Sequence, residues 1–226
     1  MKCVLISKSN YWSEYLYALL DRDDSNVEWS RIEDKLQYDL LDELNPDWVF
    51  FFHWSDIVPK KIYKCFNCVV LHTANLPAGR GGSPIQNQIN DNIIHTKVNA
   101  LQMTSQVDAG PIYCSKDISL QGSLFDVWLT IADTSKVLID KCVSESLIPK
   151  EQEIGIAQVY KRRKINNLPL ESARDLLSIY KFIHMLDAEG YPPASFLLGD
   201  FILEFERPKL NSEYILCDLK IRRKNA

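Results

Sequence analysis

The chain holds 226 residues, 46% of them apolar, 11% aromatic and 25% charged, which excludes a disordered, collagenous or fibrous protein. Twenty-six basic against thirty acidic side chains leave a net charge of −4, a poor basis for general nucleic-acid binding. The opening Met1-Lys2-Cys3 turns polar by Ser7-Lys8-Ser9, too soon for a signal peptide, and no run approaches the roughly eighteen apolar residues of a membrane span; a cytoplasmic protein without a membrane partner is expected.

Residues 2–7 read as a buried strand, followed by polar Lys8-Ser9-Asn10 and an amphipathic helix over 11–21, where Trp12, Tyr15, Leu16, Leu19 and Leu20 recur at helical spacing. A second strand is placed at Val27–Trp29. Leu36, Leu40, Leu41 and Leu44 mark a helical face that stops before Asn45-Pro46. Asp47–Phe52 is an unbroken apolar strand, His53–Pro59 a loop, Lys60–Cys65 a short helix and Cys68–His72 another strand. Continuous apolar strands alternating with helices imply a mostly parallel sheet with helices on both faces, a Rossmann-like α/β fold. The loop Leu76–Pro84 is dense in turn residues and leads into a helix at 85–90. Two strands, 97–103 and 110–115, flank a turn at Gln106–Gly110, and a long helix covers 124–143. The chain then changes character. A main domain at 1–165 is expected, with a small α+β appendage at 166–226: a helix at 176–186 and strands near 195–198, 201–205 and 214–221. The exposed edge of that hairpin invites pairing of subunits, so a homodimer is expected.

Six cysteines are scattered through the chain. Cys65-Phe66-Asn67-Cys68 is the one close pair, but a structural zinc site wants a second pair or spaced histidines. Buried reduced thiols entering a strand are the expectation, with no metal.

His72 ends an apolar strand and opens a Gly/Pro-rich loop, at the carboxyl edge where open α/β sheets gather ligands. Asp108 sits in the second turn, where Gly110 permits close backbone approach. Each also has an ordinary reading: a strand-end histidine on nearby backbone, a turn aspartate bonded to itself. Together they form a candidate acid–base pair, the carboxylate orienting the imidazole. No serine elbow, phosphate loop or dinucleotide fingerprint is present.

The stretch from Leu71-His72-Thr73 through Leu76-Pro77 and Arg80-Gly81-Gly82-Ser83-Pro84, followed by Gln106-Val107-Asp108-Ala109-Gly110, resembles the folate-dependent formyltransferases. This superfamily includes the glycinamide ribonucleotide, methionyl-tRNA and sugar N-formyltransferases. Segments 158–163 and 185–192 are similar to tails of the small sugar enzymes. The resemblance implies transfer of a formyl group from 10-formyltetrahydrofolate to an amine, without a metal, with His72 and Asp108 catalytic. It places the folate against Trp54, Ser55, Ile57, Val58, Gln106, Val107 and Gly110. Lys8, Ser9, Trp12, Arg80 and Tyr160 are then expected at the acceptor, although Arg80 also suits a structural pairing. The family carries an asparagine two residues before the histidine, where this chain has Val70; Asn75 is the expected replacement. A tRNA acceptor wants a broader positive surface and a larger tail. The acceptor implied is a nucleotide-linked amino sugar (dTDP, UDP or GDP), as used in building lipopolysaccharide O-antigen. The alternatives are another amine, aminoacyl or metabolite, and a folate-binding homologue without catalysis. The basic run Lys161–Lys164 could draw a pyrophosphate, although solvated surface is the commoner fate of such runs.

Overall fold

The computed structural model describes residues 1–22, 26–155, 157–163 and 175–224. Its first elements are β1 (Lys2–Ser7), α1 (Tyr11–Asp21), β2 (Glu28–Glu33), α2 (Tyr38–Leu44), β3 (Trp48–Phe52), α3 (Lys60–Cys65) and β4 (Cys68–Thr73). Next come β5 (Arg80–Gly81), α4 (Pro84–Asn90), β6 (His95–Gln102), β7 (Ile112–Ser119), α5 (Leu124–Ser144) and β8 (Val159–Tyr160). The chain ends with α6 (Leu176–His184), β9 (Ala194–Leu198), β10 (Phe201–Leu210) and β11 (Ile215–Arg223).

Six strands form the main sheet in the order β2-β1-β3-β4-β6-β7. The first four run parallel, and β6 and β7 join antiparallel. The unbroken apolar strands have a direct cause. Cys3 and Leu5 of β1, with Phe50 and Phe52 of β3, enter one core, while Val4, Ile6, Val49 and Phe51 enter a second core on the opposite face. A strand covered on both sides has no position for a polar residue. The fold is the expected mixed α/β architecture with a mostly parallel sheet.

Helix ends follow local chemistry. The Asn10 side chain accepts the Ser13 N–H at the start of α1, and Ser123 and Asp126 cap α5 reciprocally. Asn45, at φ +46°, ends α2 just before Pro46. Phe182, Ile183, Met185, Leu186 and Ala194 join the first core, so the C-terminal elements pack onto the main sheet layer. Strands β9, β10 and β11 form a separate antiparallel sheet. The boundary expected at 165/166, and Lys164 of the basic run, lie outside the described residues.

Among the described residues no helix is long and apolar enough to cross a membrane. Cys68 is buried at the head of β4, whereas Cys65 is exposed at the end of α3. The expectation of a buried pair is corrected for Cys65, because α3 turns that position outward.

Candidate active site

β4 carries His72 to the carboxyl edge of the parallel strands, and the β6–β7 turn brings Asp108 to it. His72 Nδ1 lies 3.5 Å from Asp108 Oδ2, with side chains only 7% and 11% exposed. The other ring nitrogen, Nε2, is 2.9 Å from the Gly79 carbonyl. A carbonyl only accepts, so Nε2 carries a proton and donates it there. Nδ1 is therefore the nitrogen left to exchange a proton with the carboxylate. At 3.5 Å the two atoms face each other just beyond the length of a formed hydrogen bond. Asp108 Oδ2 also accepts the Gly81 N–H at 2.9 Å.

Asp108 occupies left-handed backbone, φ +52°, which aspartate tolerates better than most residues. Gln152 holds this turn. Its Nε2 donates to the Asp108 and Gly110 carbonyls, both at 2.9 Å, and its Oε1 accepts Arg80 Nε at 3.1 Å and Nη2 at 2.7 Å. The chain Arg80–Gln152–Asp108 thus ties the Arg-Gly loop to the aspartate turn. Arg80 has the structural pairing expected, with an amide as its partner. Gln152 was not legible in the sequence: it lies in an irregular segment with no pattern around it. Gly110 is where the backbone closes. A Cβ there would stand 1.8 Å from the Gln102 carbonyl oxygen.

Val70 shares a strand face with His72 and packs against the second core, an apolar environment at the place where the family carries an amide. Asn75 does not replace that amide. It is exposed, and its Nδ2 donates to the His95 carbonyl at 3.0 Å, which ties the side chain to the head of β6. The amide closest in register to His72 is Asn99, directly opposite it on β6. Its Nδ2 donates to the His72 and Ala74 carbonyls and its Oδ1 accepts Ser115 Oγ, so it secures the strand pair.

Of the expected folate contacts, Ser55, Ile57, Gln106 and Val107 are exposed on the two loops flanking this edge; Ile57 is 82% and Val107 59% exposed. The Val58 side chain is core, leaving its backbone for any contact. Trp54 packs edge-on against Phe51, with Lys8 Nζ 4.5 Å over its ring.

Of the expected acceptor contacts, Lys8 is paired with Asp56 Oδ2 at 2.7 Å, and the Ser9 N–H donates to Asp34 Oδ1. Trp12 is a correction. It is wholly buried and stacked on Trp128, so no acceptor reaches it. Tyr160 is also 8% exposed; its hydroxyl donates to Asp91 and its ring covers Gly79. It braces the loop through the β5–β8 pairing.

A second cluster, absent from the sequence reading, lies on the same edge. His53 follows β3 at φ +49°; its Nδ1 is 2.9 Å from Asn10 Nδ2 and its Nε2 3.3 Å from the Tyr191 hydroxyl. Asn10 donates, so Nδ1 is the acceptor and the ring is neutral with Nε2–H facing Tyr191. Burial, reinforced by the charge of Arg162, holds His53 down to about 4. Burial also pushes the Tyr191 phenol up to about 12. These residues lock the C-terminal segment onto the sheet edge. The N-cap position of Asn10 was the available signal.

Comparison with known proteins adds the following. A family described as "Methionyl-tRNA formyltransferase, C-terminal domain" matches residues 166–222. The structure of a methionyl-tRNA formyltransferase from Clostridium thermocellum superposes with a TM-score of 0.91 at 32% identity, covering 99% of this chain and 100% of that one. The methionyl-tRNA formyltransferase of Campylobacter jejuni is 28% identical over 158 residues, 67% of this chain; the chain spans about half (51%) of that relative's length. A sugar N-formyltransferase from Shewanella superposes at TM-score 0.64 and 16% identity, over 88% of this chain and 94% of that one, a likeness of fold alone.

Proposed function

We propose that this chain, which belongs to the formyltransferase superfamily, moves a formyl group from 10-formyltetrahydrofolate to the amine of a nucleotide-linked amino sugar. The observation that carries the chemistry is His72 Nδ1 facing Asp108 Oδ2 with both side chains nearly buried, and Nε2 anchored on Gly79. The donor supplies an activated formyl carbon; the attacking amine must lose a proton as the C–N bond forms. In this reading the His72–Asp108 pair takes that proton at Nδ1 and returns one to the leaving nitrogen. The anchored Nε2–H keeps the ring from turning away, and burial excludes water that would compete for the formyl group. With Asn75 tied to β6, the proton chemistry falls to His72 and Asp108 alone.

The net charge of −4 supports a small acceptor such as a sugar over a large polyanion. The likeness to methionyl-tRNA formyltransferases supports a second reading, in which the amine belongs to an aminoacyl group on tRNA. We place the enzyme in the cytoplasm as a homodimer, with its catalytic part over 1–165. The test is to incubate protein and donor with amino sugars linked to dTDP, UDP and GDP, and separately with methionyl-tRNA, and to follow formyl addition by mass spectrometry. Formylation of a nucleotide sugar supports the proposal; formylation of methionyl-tRNA alone replaces the acceptor; no transfer to any amine removes the enzymatic reading.

A further inference from the structure

Two thiols far apart in the sequence meet at the rim of the main sheet. Cys114 lies half-buried on β7, an outer strand of that sheet, and Cys142 is wholly buried near the end of α5. Their sulfurs are 4.0 Å apart, and Cys114 Sγ is 3.7 Å from the Leu138 carbonyl. A carbonyl only accepts, so Cys114 donates to Leu138 and Cys142 donates to Cys114. That donor is the main influence holding the Cys114 thiol below its ordinary value; the Lys141 charge helps, while burial and Glu145 oppose. The same contact, followed by burial, pushes the Cys142 thiol up. Cys114 is thus the thiol that gives up its proton and Cys142 the one held in reserve beside it. Nearness in sequence was no guide to this pair, since Cys65 is exposed while Cys68 is buried.

Both cysteines frame the segment that holds Asp108. Cys114 stands two residues after Ile112, whose N–H and carbonyl pair with Lys150 at 2.7 and 2.9 Å. Beyond Cys142 the chain runs through Lys150 to Gln152, which donates to the Asp108 and Gly110 carbonyls. We propose that Cys114 and Cys142 form a disulfide in response to hydrogen peroxide, and that this bond draws β7 and the end of α5 together and displaces the Asp108 turn. The Cys114 thiolate attacks one peroxide oxygen and the O–O bond breaks, leaving a sulfenic acid and a hydroxide that is protonated to water. The Cys142 sulfur then attacks the sulfenyl sulfur; the S–S bond forms, the S–O bond breaks, and the hydroxyl leaves with the Cys142 proton as a second water. Two electrons pass from the thiols to the peroxide. A disulfide brings its sulfurs to about 2.05 Å, so this pair must close by about 4.0 − 2.05 ≈ 2 Å. Both side chains belong to the main core, and a close-packed core transmits such a shift. A thiol reductant reverses the change, as suits the cytoplasmic setting proposed above. The effect on formyl transfer rests on the His72–Asp108 reading; the disulfide does not.

The test treats the full chain with hydrogen peroxide and maps its disulfides by mass spectrometry of unreduced peptides. The expected product joins the peptides carrying Cys114 and Cys142 and is undone by dithiothreitol. Hydrogen exchange at the Gly81 N–H, which donates to Asp108 Oδ2, reads the turn without any acceptor and is expected to quicken in the oxidised chain. Formyl transfer to the accepted amine is expected to fall about tenfold or more and to recover with dithiothreitol. Cys142→Ala should keep the untreated rate and lose every response; if it does not fold, Cys114→Ser at the half-buried strand position takes its place. Peroxide that leaves Cys114 and Cys142 unjoined overturns the site. A Cys114–Cys142 bond with unchanged exchange at Gly81 overturns the coupling to Asp108. A loss of rate that persists in Cys142→Ala overturns the regulatory role. If no amine is formylated at all, the disulfide map and the exchange at Gly81 still decide the inference, so its failure is distinguished from that of the proposed reaction.

Discussion

Replacing Gly110 by alanine tests whether the aspartate turn is built on backbone contact. The new Cβ would lie 1.8 Å from the Gln102 carbonyl oxygen and 3.0 Å from its carbon, where real Cβ atoms keep at least 3.0 Å, so the two segments must part by about 3.0 − 1.8 = 1.2 Å. Two hydrogen bonds span this place, Gln152 Nε2 to the Gly110 carbonyl at 2.9 Å and the Gln102 N–H to the Pro111 carbonyl at 2.8 Å. Overpacking costs about 1–3 kcal/mol and each weakened bond about 1 kcal/mol, giving a destabilisation of about 3–5 kcal/mol. For a chain of this size that lowers Tm by roughly 6–20 °C. Gly190→Ala is the control. Gly190 also stands where alanine is strained, at φ +79°, but nothing lies within 4 Å, so the cost is the backbone conformation alone, about 1 kcal/mol. Thermal unfolding followed by far-ultraviolet circular dichroism measures both. Gly110→Ala within about 1 kcal/mol of wild type, or no worse than Gly190→Ala, would refute the close-approach argument.

Three other predictions concern the site and its supports. Gln152→Glu keeps the acceptor for Arg80 but turns a carboxylate oxygen toward two carbonyls, and Gln152→Ala removes both contacts; each is expected to lower kcat about tenfold or more by releasing Asp108, with near wild-type rates in both disproving the positioning chain. His53 is neutral in the fold and held down to about 4 from its ordinary 6.5, so its contribution is complete above pH 6.5 and is lost as pH falls toward 4. The difference amounts to about 3 kcal/mol of stability over that window, to which His184, also lowered by burial, adds in the same direction. Urea unfolding at several pH values should show a clearly shallower acid loss in His53→Gln; an unchanged slope would place the acid sensitivity elsewhere. Trp12→Phe, which opens space in a fully buried stack, is expected to cost stability without altering the KM for any acceptor, since Trp12 has no exposed surface.

The α/β order was legible because each strand of the parallel sheet is short and continuously apolar while each helix repeats at 3.6 residues. The helix at 60–65 and the strand from Cys68 fall where the sequence placed them. Local patterns carry no direction, which is why the antiparallel addition of β6 and β7 was not read. The two-residue pairing of Arg80-Gly81 with Val159-Tyr160 was equally hidden, since it joins segments far apart through backbone alone. Gly110 was readable as a close-approach glycine; Gln152 was not, because its importance comes from which carbonyls happen to converge on it. Trp12 shows the opposite failure. The helical spacing that put it on the apolar face of α1 already assigned it to the core, and the substrate role ignored that. Asn75 was chosen by nearness in sequence to His72, whereas the chain turns at that point and takes its amide to β6.

The central claim is that His72 and Asp108 manage the proton during formyl transfer to nitrogen. Single-turnover transfer from 10-formyltetrahydrofolate to the accepted amine, compared for wild type, His72→Asn and Asp108→Asn, tests it most directly. The account predicts a formylated product from wild type, a rate at least about a hundredfold lower in each variant, and cooperative unfolding in each variant above the assay temperature. Transfer at wild-type rates by either folded variant would contradict it.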